Sequence, residues 1–424
     1  MIDEDTGKRL DAAVEAGFDE QVAFTGDLVR LPSLRGQEAT AQDFIARALA
    51  ARGFAVDRWQ IRNEDIRDLP GYSPKLDGYD DAWVSVGTLR SSAPGGRSLI
   101  INGHIDVVPE GPHDMWSTPP FEPVVKDGWM HGRGAGDMKA GWVCGLFALD
   151  AIRRAGFRPA SDITIEAVIE EECTGNGALA CRQRGYHADA ALIPEPMGHG
   201  LLRSQVGVMW FQCHVRGHPV HVSRAGSGAN AIEAAWRLVG ALHTLEERWN
   251  AAGHERYAGM THPLNFNVGR IEGGDWASSV PAWCRFDMRV GVFPGTDLAR
   301  ARGDIEECIA MAAGSDAFLA NNPPQVVWDG FQAEGYVLEE GSDAEAVIAE
   351  SHRDVFGEEL QSHALTGTTD ARFFGLYAGI PALVYGPLAE NIHGFDERVN
   401  LDSCRQVTRA IARFIADWCG LESL

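Results

Sequence analysis

His104 and Asp106 in Gly-His-Ile-Asp, Asp137 in Gly-Asp-Met-Lys, the run Glu170-Glu171-Glu172, Glu195 in Pro-Glu-Pro and His393 in Ile-His-Gly-Phe are the side chains of this sequence best suited to chemistry. The first four stretches each close an apolar, strand-like run; the fifth lies near the C-terminus. Two histidines and several carboxylates from separate elements make a donor set for a pair of divalent ions, and a carboxylate left over can act as base. Hydrolysis at a two-metal site is the chemistry this set implies.

His104 and Asp106 are two apart and point the same way on a strand, so the imidazole can bind metal while the carboxylate fixes its other nitrogen. Gly132, Gly134 and Gly136 permit tight turns that bring Asp137 between two ions. They form no dinucleotide fingerprint, and no Lys-Ser/Thr follows for a phosphate loop. Three glutamates at the tip of a strand of isoleucines concentrate negative charge, which is costly without cations. Strand alternation sends Glu171 and its neighbours to opposite faces, one carboxylate for metal and the next for a proton. Glu195 is rigidly presented between Pro194 and Pro196. Neither a Gly-x-Ser-x-Gly elbow nor His-Glu-x-x-His occurs, so serine-hydrolase and single-zinc helix-protease patterns are absent. His113, His131 and His352 read as loop or surface residues.

A chain of 424 residues is long for one core, which predicts two domains. The formal charge of −23 and sequence pI near 5.0 disfavour a nucleic-acid or anionic-membrane surface, since both need clustered Lys and Arg. An anionic substrate is still allowed, because bound cations invert the local field. The acidic N-terminus carries no signal pattern, and no apolar run of about 18 residues predicts a membrane span. Eight scattered cysteines without a Cys-x-x-Cys pair read as reduced, mostly buried thiols, and the expected compartment is the cytoplasm.

These side chains need elements to hold them. Residues 38–53 carry a helical pattern, with Phe44, Ile45, Ala48 and Leu49 on one face and Gly53 as a stop. The apolar run at 98–101 predicts a buried strand delivering His104, and 140–155 a helix ending at Gly156. Ile163, Ile165, Ala167 and Ile169 alternate ahead of the glutamates, and 190–193 precedes Glu195. Strands alternating with helices predict an α/β catalytic domain, its sheet mostly parallel and helices on both faces, with ligands beyond the strand carboxyl ends. Near Gln205 the rhythm changes. Residues 209–215, 266–268 and 284–292 read as strands, and 230–245 and 297–313 as helices, within an inserted α+β unit. Asn321-Asn322-Pro323-Pro324 is the expected point of return. The division expected is 1–205 with 324–424 for the catalytic domain and 206–323 for the insert.

Taken in order, the five motifs resemble those of the co-catalytic metallopeptidase family that contains acetylornithine deacetylase, succinyl-diaminopimelate desuccinylase, aminoacylase and glutamate carboxypeptidase. The resemblance runs from about Leu28 to Cys419, and Glu-Glu-Cys-Thr-Gly-Asn-Gly and Gly-Thr-Thr-Asp-Ala-Arg-Phe lean toward its deacetylase and desuccinylase members. It implies two zinc ions, with cobalt or manganese as chemical alternatives. Asp137 would bridge them, His104 and Glu195 holding one and Glu172 and His393 the other. Glu171 would be general base and acid, Asp106 the carboxylate steadying His104, and a cis peptide would follow at Asp137–Met138. The insert resembles the family's ferredoxin-like lid and dimerisation domain. A homodimer is thereby implied, in which His221 of the Gly-x-x-x-His-x-Ser stretch reaches the partner's site and stabilises the oxyanion. Asn230, Arg289, Gly367, Thr368 and Arg372 match substrate-contacting positions, and arginine suits a substrate carboxylate.

Two departures touch substrate contact. Ser278 stands where many members have Asn, and the strand of Arg289 is shorter by an even number of residues, which keeps its face. The reaction implied is hydrolysis of the amide of an N-acyl amino acid by a metal-bridging water that Glu171 activates. Exopeptidase cleavage and hydrolytic deamination are alternatives at the same site. A non-catalytic binding relative is the alternative of another class; the intact Glu171 and five intact ligand positions argue against it.

Overall fold

A computed structural model describes residues 1–91 and 95–424. Its six-stranded sheet runs Ala55–Gln60, Trp83–Leu89, Ile163–Val168, Leu99–His104, Ala190–Ile193, Ala382–Val384. The first two pairings are antiparallel and the last three parallel, so the sheet is mostly parallel as expected. Ile163, Ile165 and Ala167 turn to one face and join the large core with residues of Glu4–Val29, Ala140–Arg154 and Leu401–Cys419. Val168 turns to the other face, beside Val84, Val86 and Leu179 of the helix Asn176–Gln183. Helices on both sides bury both faces of the strand Ile163–Val168, its Thr164 and Glu166 included. His352, expected at the surface, is buried, its Nδ1 3.0 Å from the Tyr385 hydroxyl.

A second, antiparallel sheet runs Phe266–Gly273, Trp283–Val292, Gly207–Arg216, Gln325–Ala333. With the helices Ala231–Ala252 and Leu298–Gly314 it follows the strand–helix–strand–strand–helix–strand order of a ferredoxin-like unit. Met209, Phe211, Cys213 and Val215 pack against Leu238, Leu242, Ile305 and Ile309 in a core of their own. Trp210 and Gln212 alternate to the opposite face, in register with Arg289 and Asp287. The return expected at 324 comes later. Pro323 and Pro324 lead into the edge strand Gln325–Ala333, whose Val326 and Trp328 pack on the same core and keep it in this unit.

A third sheet, Ala389–Glu390, Arg398–Asn400, Trp129–His131, Val124–Lys126, sets the C-terminal segment beside the glycine-rich turn that follows His131. All eight cysteines are buried and free. Among the described residues no helix is long and apolar enough to cross a membrane.

Candidate metal centre

Strand ends and turns bring the separated motifs together. Leu99–His104 ends on His104, which is buried. Its Nδ1 lies 2.9 Å from the Asp106 backbone carbonyl, so that nitrogen carries the hydrogen and Nε2 is left to ligate. The expected bond to the Asp106 carboxylate is not made. That group is 3.6 Å from Nδ1 and instead accepts the Glu172 N–H at 3.2 Å, tying the His104 strand to the glutamate turn.

From His104 Nε2, Asp137 Oδ1 is 3.1 Å away, Glu195 Oε1 3.8 Å and Glu171 Oε2 3.9 Å. His393 Nε2 lies 3.0 Å from Glu172 Oε2 and 3.4 Å from Asp137 Oδ2. Asp137 thus turns one oxygen to each histidine. Its peptide bond to Met138 is cis, as the resemblance implied. The donor atoms of His104, Glu171 and Glu195 lie within 4.8 Å of one another, as do those of His104, Asp137 and Glu172.

The glutamate run does not alternate. The strand stops at Val168, and Glu170 adopts a φ of +67°. Glu170 turns away to a fork of Arg35 bonds at 2.8 and 2.9 Å, while Glu171 and Glu172 both face the cleft. Alternation fails because the segment is a turn, not an extension of the strand.

The electrostatics fit cations. Burial pushes Glu171 and Glu195 well above the ordinary carboxylate range, and neighbouring carboxylates add to it. Burial likewise raises Asp106 and Asp370 to about 7. Asp137 goes the other way: against its burial, hydrogen bonds from His104 and His393 hold it well below its usual value. Carboxylates crowded into a buried cleft with two imidazoles aimed among them form a donor set that divalent ions would neutralise.

A cavity of about 740 Å³ opens over this cluster. One wall holds Asp137, Glu171, Glu172, Glu195 and His393; facing it is the second sheet with Trp210, Gln212, Asp287 and Arg289. Gly367 and Thr368 are among its lining residues. Arg372 is not. Its guanidinium is buried, donating to the carbonyls of Thr174 (2.9 Å) and Gly71 (3.3 Å), so it holds loops behind the site. Asn230 caps the helix Ala231–Ala252, accepting the N–H groups of Ile232 and Glu233, and is outside the cavity lining. His221 is exposed beside Ser223, also outside the lining. Sequence reasoning missed Glu397 and Asp370. Nothing flags a lone acid in a loop, although Glu397 lies four residues past His393 and Asp370 inside the Gly-Thr-Thr-Asp stretch.

Fold and site together define a class: hydrolases that place a metal pair at the carboxyl ends of a parallel sheet, beneath a ferredoxin-like unit. The family model described as Peptidase family M20/M25/M40 matches residues 100–417, and the chain belongs to that family as a metal-dependent amidohydrolase. It is 31% identical over 409 residues to the N-formyl-4-amino-5-aminomethyl-2-methylpyrimidine deformylase of Bacillus subtilis (strain 168), covering 92% of this chain and 91% of that one. It is 26% identical to the succinyl-diaminopimelate desuccinylase of Bradyrhizobium sp. (strain ORS 278), covering 94% and 98%. The fold matches the Saccharomyces cerevisiae di-peptidase Dug1p with a TM-score of 0.82 at 15% identity, over 97% of this chain and 98% of that one. Human carnosine dipeptidase 1 matches with a TM-score of 0.77 at 16% identity, over 97% and 99%.

Proposed function

We propose that the enzyme uses a zinc pair to remove a short acyl group from the amine nitrogen of a small molecule. The observation that carries this reading is the gathering of Asp137, Glu172, Glu195 and His393 on one cavity wall, with Glu171 among them and the buried His104 directly beneath, 3.1 Å from Asp137. His104 and Glu195 would hold one ion, Glu172 and His393 the other, and Asp137 both. Such ions supply an acidified water and a polarised substrate carbonyl. Glu171 takes a proton from the attacking water and returns it to the departing nitrogen. A carboxyl whose proton affinity is raised by burial suits both steps.

For the rest of the substrate, Arg289 favours a carboxylate. It lines the cavity and donates to the carbonyls of Thr366 (2.7 Å) and Asn265 (3.3 Å), which leaves its charge unneutralised. That suits an N-acyl amino acid. A second reading of the leaving amine is a flat heteroaromatic ring. The 31% identical relative is named a deformylase of such a compound, and Trp210 meets Phe331 edge-on at 5.2 Å on the cavity wall.

The working form in this reading is a cytoplasmic homodimer. Its eight free thiols are in keeping with a reducing compartment. His221, outside the lining, would meet the reacting carbonyl from a second copy, whose contact would also cover the exposed Val222, Trp236 and Trp276.

The test is hydrolysis of N-formyl, N-acetyl and N-succinyl amino acids, dipeptides and an N-formylated aminomethylpyrimidine, with and without chelator. Chelator-sensitive release of one acyl group is the result expected. Cleavage of dipeptides alone would make it an exopeptidase, and cleavage that survives complete removal of metal would overturn the mechanism.

A further inference from the structure

Glu397 makes contacts that none of the roles above uses. The side chain is 1% exposed, yet both its oxygens are engaged. Oε1 accepts the backbone N–H groups of Gly136 (2.9 Å) and Asp137 (3.0 Å). Oε2 accepts Gly134 N–H (3.0 Å) and Arg133 Nη1 (2.6 Å). Arg133 is buried too, and its Nη2 donates to the Gly394 carbonyl at 3.0 Å, next to His393. The Gly132 N–H donates to the Glu397 carbonyl at 2.9 Å. Glycine permits the approach: Gly134 has a φ of +76°, and a Cβ on Gly136 would sit 2.7 Å from Ala389 Cβ. One carboxylate therefore gathers the amides of the turn that carries Asp137 and ties them to the loop that carries His393.

We propose that Glu397 is a positioning residue that fixes Asp137 between His104 and His393, so that the two ion sites form as a coupled pair. The inference rests on the reading of those three side chains as ligands. Asp137 has one oxygen 3.1 Å from His104 Nε2 and the other 3.4 Å from His393 Nε2. A rotation of its backbone would spoil both distances at once. Without the carboxylate, the N–H groups of Gly134, Gly136 and Asp137 lose their acceptor and the buried Arg133 guanidinium loses its counter-charge, so the turn must shift to satisfy them.

The test compares wild-type, Glu397→Gln and Glu397→Asp proteins, stripped of metal and titrated with Zn²⁺ by calorimetry, with bound zinc counted. Circular dichroism and thermal midpoints are recorded before and after loading. Two zinc ions are expected on the wild type. Glu397→Gln is expected to fold but to bind the second ion roughly 10–100-fold more weakly, the usual effect of losing a group that orients a ligand. Its kcat should recover in excess Zn²⁺ with KM unchanged. A purely structural role would instead lower the midpoints of stripped and loaded protein equally and leave zinc affinity intact, and that result overturns the proposal. Should Glu397→Gln not fold, Glu397→Asp, which withdraws the charge by one methylene, carries the same expectation, and wild-type affinity there is equally fatal. A wild-type chain that takes up no zinc overturns the metal reading and this role with it; two ions on the wild type and unchanged variants overturn the role alone.

Discussion

Glu171 sits where an ion ligand and a proton carrier are hard to tell apart by distance, since its carboxylate groups with His104 and Glu195. Glu171→Gln separates the two roles. It keeps the volume and an oxygen donor but cannot carry the proton. The expected result is a fall in kcat of roughly 10²–10⁴-fold, with the metal content of purified protein unchanged by elemental analysis. Loss of an ion along with activity would make Glu171 a ligand instead. The histidines supply a second prediction. Burial alone would lower the pKa of His104 and His393, but Asp137 and the neighbouring carboxylates outweigh it and raise both. In metal-free protein both imidazoles therefore hold protons near neutral pH, and an incoming ion must displace them. Zinc uptake should release protons, and apparent affinity should weaken as pH falls. Calorimetry in two buffers of different ionisation heat reads this directly, and uptake without proton release would contradict the ligand set.

Between elements, the site depends on close backbone approach. The helix Ala140–Arg154 begins against the segment that presents Glu195: a Cβ on Gly141 would come to 1.7 Å of the Pro194 carbonyl oxygen. Gly141→Ala must push helix and segment apart. A destabilisation of about 1–3 kcal/mol is expected, together with weaker zinc binding as Glu195 moves. Gly240, on the exposed side of the helix Ala231–Ala252, has nothing within 4 Å of a built Cβ. Gly240→Ala should stabilise by about 0.5–1 kcal/mol and leave zinc affinity alone. Denaturant melts of the two variants check both signs. Neither glycine announces its role in sequence, because the nearest atom in the first case lies 53 residues away along the chain.

For the whole molecule, the question is whether one chain completes a site. Arg289 and Trp210 reach the cavity from the second sheet of the same chain, whereas His221 lies outside its lining. If the second copy supplies His221, His221→Ala should lower kcat strongly with zinc content unchanged. Mixing it with the inactive Glu171→Gln protein should then restore roughly a quarter of wild-type activity, because random exchange pairs half the chains and each mixed dimer has one whole site. Sedimentation of the mixture verifies the dimer. No recovery in a mixture shown to exchange subunits would place the action of His221 within its own chain.

Much of this protein was legible in its sequence because hydrophobic period and strand-end chemistry are local. The run ending at His104, the alternation before the glutamates, the helix after Asp137 and the strand–helix order of the second unit all stand where the pattern places them. The donors proposed for the two ions were legible as types, two imidazoles with carboxylates. Local signals miss whatever depends on atoms far away in sequence. The Glu170 turn redirects Glu171 and Glu172 together, Arg372 withdraws to support loops, and Gln325–Ala333 stays with the second sheet because its partner is the strand Gly207–Arg216. Local pattern alone was enough for the donor types and for the elements that carry them. Which of those donors meet is set in the tertiary structure, because His104, Asp137, Glu195 and His393, from 33 to 256 residues apart where they approach, come within about 4 Å through strand pairing and turns, and no period in the sequence records a distance of that kind.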